Sequence, residues 1–199
     1  MIQSTSDISI LAAAQVTETD VRSARLGTRF GRLDLASQMA LLAVESLDAN
    51  FDAWPRERIG LCLAARTGSL STDVEYWKGR DAVGGPSPML FTYTLPSSAL
   101  GEIAIRHRIT GPNLCFVGAD SVVLAEAADM IRRSQADGCV CVSCNAVTGA
   151  AAEMIQEPGG ARACALFLTR GEAGPRAWRE LDSDMESLCA TFRPQKSAT

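Results

Sequence analysis

Residues Phe91 to Phe116 read FTYTLPSSALGEIAIRHRITGPNLCF, and they hold a helix and the opening of a strand in one short run. Pro96 fits the first turn of a helix, where its missing amide hydrogen costs nothing, and that helix is expected to reach about Arg106. Gly111-Pro112-Asn113-Leu114 then leads into a strand over Leu114 to Ala119. A further helix is expected over Val122 to Ser134. Helix, strand, turn and helix in that order are a segment of an alternating α/β chain.

The alternation continues in both directions. On the N-terminal side, Arg58 to Ala65 is a short apolar run bounded by polar residues, which reads as a buried strand. Asp34 to Asn50 carries Leu35, Met39, Leu42, Ala43 and Leu47 at helical spacing. Asp34 can cap that helix by offering an acceptor to its first-turn amides. Ile8 to Val16 is expected as a first strand. Between these segments, Thr67-Gly68-Ser69 signals a turn and Ser71 to Lys78 a short helix. Gly79 to Pro88 holds three glycines and two prolines and reads as a loop. On the C-terminal side, Cys139 to Asn145 reads as a buried strand, Gln156 to Gly160 as a loop and Ala163 to Thr169 as a last strand. The polar tail, 194–199, is expected to be disordered. The whole, 1–199, reads as one α/β domain, a parallel or mixed sheet covered by helices.

Composition narrows the function classes. The chain has 199 residues, 47% hydrophobic and 21% charged, which is ordinary for a globular protein with a real core. The net charge is −4, with no basic run and 6% aromatic residues, which argues against nucleic acid as a partner because phosphate binding needs a clustered cationic surface. The N-terminal MIQSTSDISILAAAQV has no positive leader, and its apolar run is too short to span a membrane or to direct export. A cytoplasmic location is the expectation. The seven cysteines are an odd number, most of them among apolar neighbours, which suits reduced, buried thiols.

The order of segments resembles the β-ketoacyl synthases of the thiolase-like superfamily. Arg32-Leu33-Asp34 followed by Ala36 to Ala43 is similar to the family's first long helix, and Arg58 to Ala64 to the strand after it. Leu95-Pro96-Ser97-Ser98-Ala99-Leu100-Gly101-Glu102 resembles the family's Leu-Pro-Asn helix start. Ile131 to Asp137 and then Val140 to Val147 resemble the helix and strand that follow the nucleophile, and Gly159 to Leu168 resembles the last strand of the family's N-terminal half. The likeness covers about residues 30 to 170 and implies the N-terminal half of a thiolase-like fold, with a mixed, mostly parallel sheet and helices on both faces. In the family, Gly-Pro-Asn-Leu opens a buried strand that ends in a sharp turn with the nucleophilic cysteine, and a helix follows. Here the chain runs Cys115-Phe116-Val117-Gly118-Ala119-Asp120-Ser121, so the turn carries no cysteine and reads as a few residues short. The family fold is duplicated, and its second half brings two catalytic histidines. These residues hold a single histidine, His107, and none of that second half.

Each candidate site residue has an ordinary reading beside its chemical one. Cys115 is a candidate nucleophile, but a thiolate needs a helix N-terminus or a cation to lower its pKa, and Cys115 sits at the start of the strand. Asp120 and Ser121 stand at the altered elbow. Either could serve in chemistry, and either could cap the helix expected at Val122. A carboxylate there would repel the oxyanion that develops on an acyl thioester. Cys139, Cys141 and Cys144 form a C-x-C-x-x-C run, yet strand alternation puts the first two on one face and the third on the other, with no evident fourth ligand for a metal. His107, between Arg106 and Arg108, is expected at a surface or helix end, its protonation disfavoured by the two arginines. Gly84-Gly85 and Gly159-Gly160 lack the spacing of phosphate-binding loops. Trp54, Tyr76, Trp77, Phe91 and Tyr93 could line a partner groove or cap a core. Neither a cofactor nor a metal is expected.

The resemblance also bears on assembly. In the family, helices are buried between the two halves, so a lone half should expose more apolar area on that helix face than a monomer tolerates. The family dimerises by pairing the strand that is here Asn113, Leu114, Cys115, Phe116 and Val117 across a two-fold axis. What this implies is a non-catalytic ketosynthase-like subunit of a type II fatty-acid, polyketide or aryl-polyene synthase. Its partners would be a second copy or a full ketosynthase, and an acyl carrier protein. The alternatives are an acyltransferase or condensing enzyme that uses Cys115 in a site completed by another chain, and a scaffold without an acyl substrate.

Overall fold

The computed structural model describes residues 8–171, 178 and 184–192. Strand β1 (Ile8–Thr17) runs into helix α1 (Glu18–Ser23), and helix α2 (Leu35–Glu45) leads to strand β2 (Ile59–Ala65). Helices α3 (Leu70–Lys78), α4 (Pro88–Thr92) and α5 (Ser98–His107) precede strand β3 (Asn113–Val117). Helix α6 (Asp120–Arg132), strand β4 (Gly138–Val147), helix α7 (Gly149–Ile155), strand β5 (Gly160–Arg170) and helix α8 (Met185–Phe192) complete the order. The five strands form one sheet in the order β1-β5-β4-β2-β3. Strand β2 is parallel to both β3 and β4, and β5 is antiparallel to both β4 and β1. The sheet is therefore mixed, half of its pairings antiparallel rather than most of them parallel.

Strand alternation divides the core. Leu61 and Leu63 of β2 and Val140 and Val142 of β4 face α2 and α5, while Cys62, Ala64, Cys139 and Cys141 face α6 and α8. On the first face Phe167 takes edge-on contacts from Phe51 and Trp54, both at 5.4 Å between ring centres. On the second, Met185 and Cys189 of α8 are fully buried. The Gly-Pro step before β3 has a steric reason: a Cβ at Gly111 would meet the Ile59 carbonyl oxygen at 2.2 Å, so only glycine lets the chain pass so close to β2.

Several sequence expectations shift. Asp34 does cap α2, with its Oδ1 accepting from the Ser37 amide at 3.0 Å and its Oδ2 from the Thr72 hydroxyl at 2.8 Å. The helix ends at Glu45, however, and not near Asn50. The Ser46 hydroxyl donates back to the Leu42 carbonyl, and Asn50 accepts from the Asp52 amide to start a separate 3-10 turn at Phe51. Pro96 lies in the turn before α5, closed by Ser98 N–H to the Leu95 carbonyl at 2.9 Å, and not in the helix's first turn. Helix α4 cuts into the expected loop: Ser87 accepts from the Leu90 amide and Pro88 takes the first helical position. The tail, 194–199, lies outside the described residues.

Candidate functional site

Strands β2, β3 and β4 point their C-terminal ends at one cavity of about 830 Å³, where an α/β sheet places its ligands. Arg66, Asp120, Ser143, Asn145, Glu157 and Arg162 are among its lining residues. The elbow stands on its rim. Strand β3 ends at Val117, Gly118 takes φ 144°, a conformation that glycine enters freely, and α6 begins at Asp120. The turn is thus a compact pair, Gly118-Ala119, with no cysteine in it.

Asp120 is the first residue of α6, and Ala119 is its N-cap, without a side-chain cap bond. Neither Asp120 nor Ser121 caps the helix as expected. A cap residue must keep a non-helical backbone outside the first turn, and here the helix starts early enough to take both in. The Asp120 carboxylate turns to α8 instead, accepting from the Met185 amide at 3.4 Å. Burial pushes the Asp120 pKa up, and the nearby Asp184 adds to this, while the Met185 amide and the Ser143 hydroxyl oppose it. Ser121 is half-buried, and the one histidine is remote, at the far end of a strand that rises roughly 16 Å.

The thiols offer no substitute. Cys115 is half-buried opposite Leu63, packed on the α2–α5 side, and burial raises its pKa. Cys62 and Cys139 approach to 3.6 Å in the other core layer, with Cys62 raised by its contact with Cys139 and by burial. Cys144 lies on the opposite sheet face from Cys139 and Cys141, and burial pushes it up to about 12. Among the described residues no group of three His, Cys, Asp or Glu side chains is placed to hold a metal.

His107 closes α5 but is half-buried, edge-on to Phe51 at 5.2 Å, with its Nε2 at 3.4 Å from Glu45. Its pKa is lowered, chiefly by desolvation. Glu45 opposes the shift, and Arg106 and Arg56 contribute less. The expected helix-end position and the lowered pKa both hold, but burial rather than the arginines leads the shift.

The aromatic set divides. Trp54 and Tyr93 pack against the core. Tyr76 and Phe91 meet at 5.6 Å between ring centres, and with Trp77, Val74 and Met154 they line an apolar groove of about 520 Å³. The helix face expected to lie bare is not the apolar one. Of the large hydrophobics exposed among the described residues, α6 contributes Val122 alone, while Trp77, Val83, Met89, Phe91 and Leu95 cluster between α3 and α5. On the α6 side, α8 covers part of the sheet, and the outer positions of α6 include Glu126, with Arg133 exposed just past its end. Strand β3 is an edge, paired to β2 on one side and to no strand on the other among the described residues, with Val117 64% exposed. The sequence reading named Tyr76, Trp77 and Phe91 as possible groove residues, and they do line one, while nothing in it singled out α8. The capping pattern Thr17-x-x-Asp20 could have found α1, and Ser87-Pro88 could have found α4.

The family model for the β-ketoacyl synthase N-terminal domain matches residues 11–160. No curated protein matches the chain. Among solved structures, the chain is similar to the ishigamide ketosynthase/chain length factor (TM-score 0.70, 18% identity, 85% of this chain and 64% of that one). It is also similar to a ketosynthase (ApeO) in complex with its chain length factor (ApeC) from Xenorhabdus doucetiae (TM-score 0.65, 14% identity, 84% and 80%). A third similar structure, described as AntDE:AntF, holds a type II polyketide synthase acyl-carrier protein with its ketosynthase bound to the hexaketide (TM-score 0.69, 14% identity, 83% and 62%). At these identities the likeness is one of fold, and the chain spans less than two thirds of the length of the first and third of these.

Proposed function

The chain belongs to the β-ketoacyl synthase family, through that family's N-terminal domain, and on this premise we propose that it is a non-catalytic ketosynthase-like subunit of a type II fatty-acid, polyketide or aryl-polyene synthase, working by association with a full ketosynthase. The observation that carries this reading is Asp120. It occupies the elbow between β3 and α6, where the family resemblance calls for the nucleophilic cysteine. A desolvated carboxylate is a poor acyl acceptor, and its charge opposes the oxyanion that acyl transfer must develop. Cys115 is a poor stand-in, because it lies within β3 rather than at the turn and burial raises its pKa, which favours the thiol over the thiolate.

The unpaired β3 edge supports the associative half of the proposal. Five residues without a charge, Asn113 to Val117, offer ladder hydrogen bonds that a partner strand would complete. An acyl carrier protein is a further partner in this reading. The similar structures include a ketosynthase with its chain length factor and a complex with an acyl-carrier protein, and transferring those associations to this chain is part of the proposal. The test is to purify the tagged chain with each full-length ketosynthase of its source genome and to assay condensation from acyl and malonyl carrier substrates. The expected result is a stable complex whose product profile differs from that of the ketosynthase alone, and no product from the chain by itself. Condensation by the isolated chain would falsify the non-catalytic role.

A further inference from the structure

At the opposite end of the sheet from the elbow, the close of α2, the close of α5 and the turns that lead into β2 border a second cavity, of about 530 Å³. Small-molecule sites run from about 300 to 1,000 Å³. The lining carries three arginines, Arg56, Arg106 and Arg108, with His107 and Asn50, against two carboxylates, Glu45 and Asp52. These carboxylates do not use up the donors. Asp52 pairs with Arg56 Nη2, but the Asp52 side chain is 89% exposed and solvent screens its charge. Glu45 accepts from Arg106 Nε at 2.7 Å. Arg108 has no carboxylate partner among the described residues. Arg56 Nη1 and His107 Nε2 are both buried without a hydrogen-bond partner among the described residues. Glu45 lies 3.4 Å from that imidazole nitrogen, yet not in a position to accept from it.

Buried polar atoms are nearly always paired, and an unpaired donor on a charged group is costly to keep. Helix ends explain part of the cluster, since cations are favoured at a helix C-terminus and Arg106 and His107 close α5. They do not explain Arg56, which stands outside both helices. We propose that this cavity binds a phosphate group, as the free ion or as the monoester of a small molecule. Three arginines against two carboxylates leave an excess of positive charge, which a phosphate with nearly two negative charges answers better than a carboxylate with one. Guanidinium groups match phosphate oxygens in geometry. Asn50 spends its side-chain oxygen on the Asp52 amide, which leaves its NH₂ to donate. With Arg56 Nη1, His107 Nε2 and Arg108, the lining holds more unused donors than the two oxygens of a carboxylate require.

The site comes with its own reporter. The chain has one histidine, so the His107 Hε1 proton gives a single NMR signal there. Desolvation lowers the His107 pKa; Glu45 opposes this, and Arg106 and Arg56 add to it. A bound dianion beside Nε2 favours the imidazolium and raises that pKa. The experiment titrates the full chain with inorganic phosphate and with glycerol 3-phosphate at constant pH and ionic strength, and with acetate as the comparator. Either phosphate probe should move the Hε1 signal saturably and shift its pH midpoint upward, and acetate should do neither. Tighter binding of the monoester would identify an ester as the ligand, and tighter binding of inorganic phosphate the free ion. Arg56→Gln should weaken binding about 10-fold or more, and the exposed Arg108→Asn about 3-fold. The second variant guards against a folding artefact, because Asn accepts the φ of 55° at that position more readily than Arg, and its melting temperature should match the wild type. No saturable shift with either phosphate probe, a shift that acetate reproduces, or binding that both variants retain in full would overturn the inference. None of these outcomes touches the proposed association with a ketosynthase.

Discussion

The elbow and the edge of this molecule lie at the same end of strand β3 and have been finished in opposite ways. At the elbow, Asp120 accepts from the first amide of α8 and interacts with Ser143, so this carboxylate is tied into the chain's own fold. At the edge, β3 keeps one side unpaired, and Val117, Leu95, Phe91 and Trp77 stay exposed. In the proposed reading this acceptor stands where a reactive group would, and its raised pKa marks a charge held at some cost. Uncovered apolar area and an unpaired strand are liabilities in a monomer, and the proposed partner would cover them. The contrast is what an associating subunit that has given up catalysis should look like.

The largest effect should come from charging the edge. Val117→Asp places a carboxylate in the proposed seam, at a cost of several kcal/mol to association. It should abolish the complex in sedimentation while leaving the exposed site's own stability almost unchanged. Phe116→Asp is the less clean variant, because Phe116 also packs on the α6 side of the core. Trp54→Ser provides the converse. Trp54 is half-buried against Phe167, so its loss should lower unfolding free energy in denaturant by roughly 2–4 kcal/mol and leave association intact once the chain is folded. A loss of the complex with normal stability would place Trp54 at the interface and break the division between core and edge aromatics.

A smaller effect concerns pH. The folded chain holds the His107 pKa below the ordinary value of 6.5, mainly by desolvation. As pH falls, the unfolded chain is therefore protonated first. The stability associated with neutral His107 is complete above about pH 6.5 and is lost as pH drops towards the lowered value. His107→Gln should flatten that part of the stability profile, as followed by thermal melts across the range. The smallest effect belongs to Asp120→Asn. The raised pKa of Asp120 marks a charge held at a cost near neutrality, so the amide should make the chain slightly more stable at pH 7. The difference should vanish as pH falls and the wild-type carboxyl takes up its proton. A marked loss of stability at pH 7 would mean that the charge, and not the acceptor oxygen, holds α8.

Much of the fold was legible because apolar runs and turn residues carry period and punctuation. All five strands were anticipated, and Asp34 was recognisable as a cap from its type and place. The division of Cys139 and Cys141 from Cys144 follows from strand alternation alone. The helix limits were less legible. Ser46 ends α2 by a back-bond that competes with continuation, a choice set by where Phe51 must enter the core. Asp120 misled for a related reason: its residue type suits a cap, but position relative to Gly118 decides, and the start of α6 one residue after Ala119 takes it inside the helix. His107 looked exposed because two arginines flank it. Its burial comes from Phe51, more than fifty residues away in sequence, and no local pattern reports that contact. The groove was legible in part, through Tyr76, Trp77 and Phe91, but that Met154 of α7 joins them is set only in three dimensions.

The central claim is that this chain kept the partner surface and lost the nucleophile. Intact-mass spectrometry of the purified chain after incubation with an acyl-carrier thioester tests the second half most directly, with Asp120→Cys as the comparator. The account predicts that the wild type keeps its own mass, while the variant, with a thiol at the N-terminus of α6, acquires the acyl group. A wild-type adduct that maps to Cys115 or to any other native residue would contradict it.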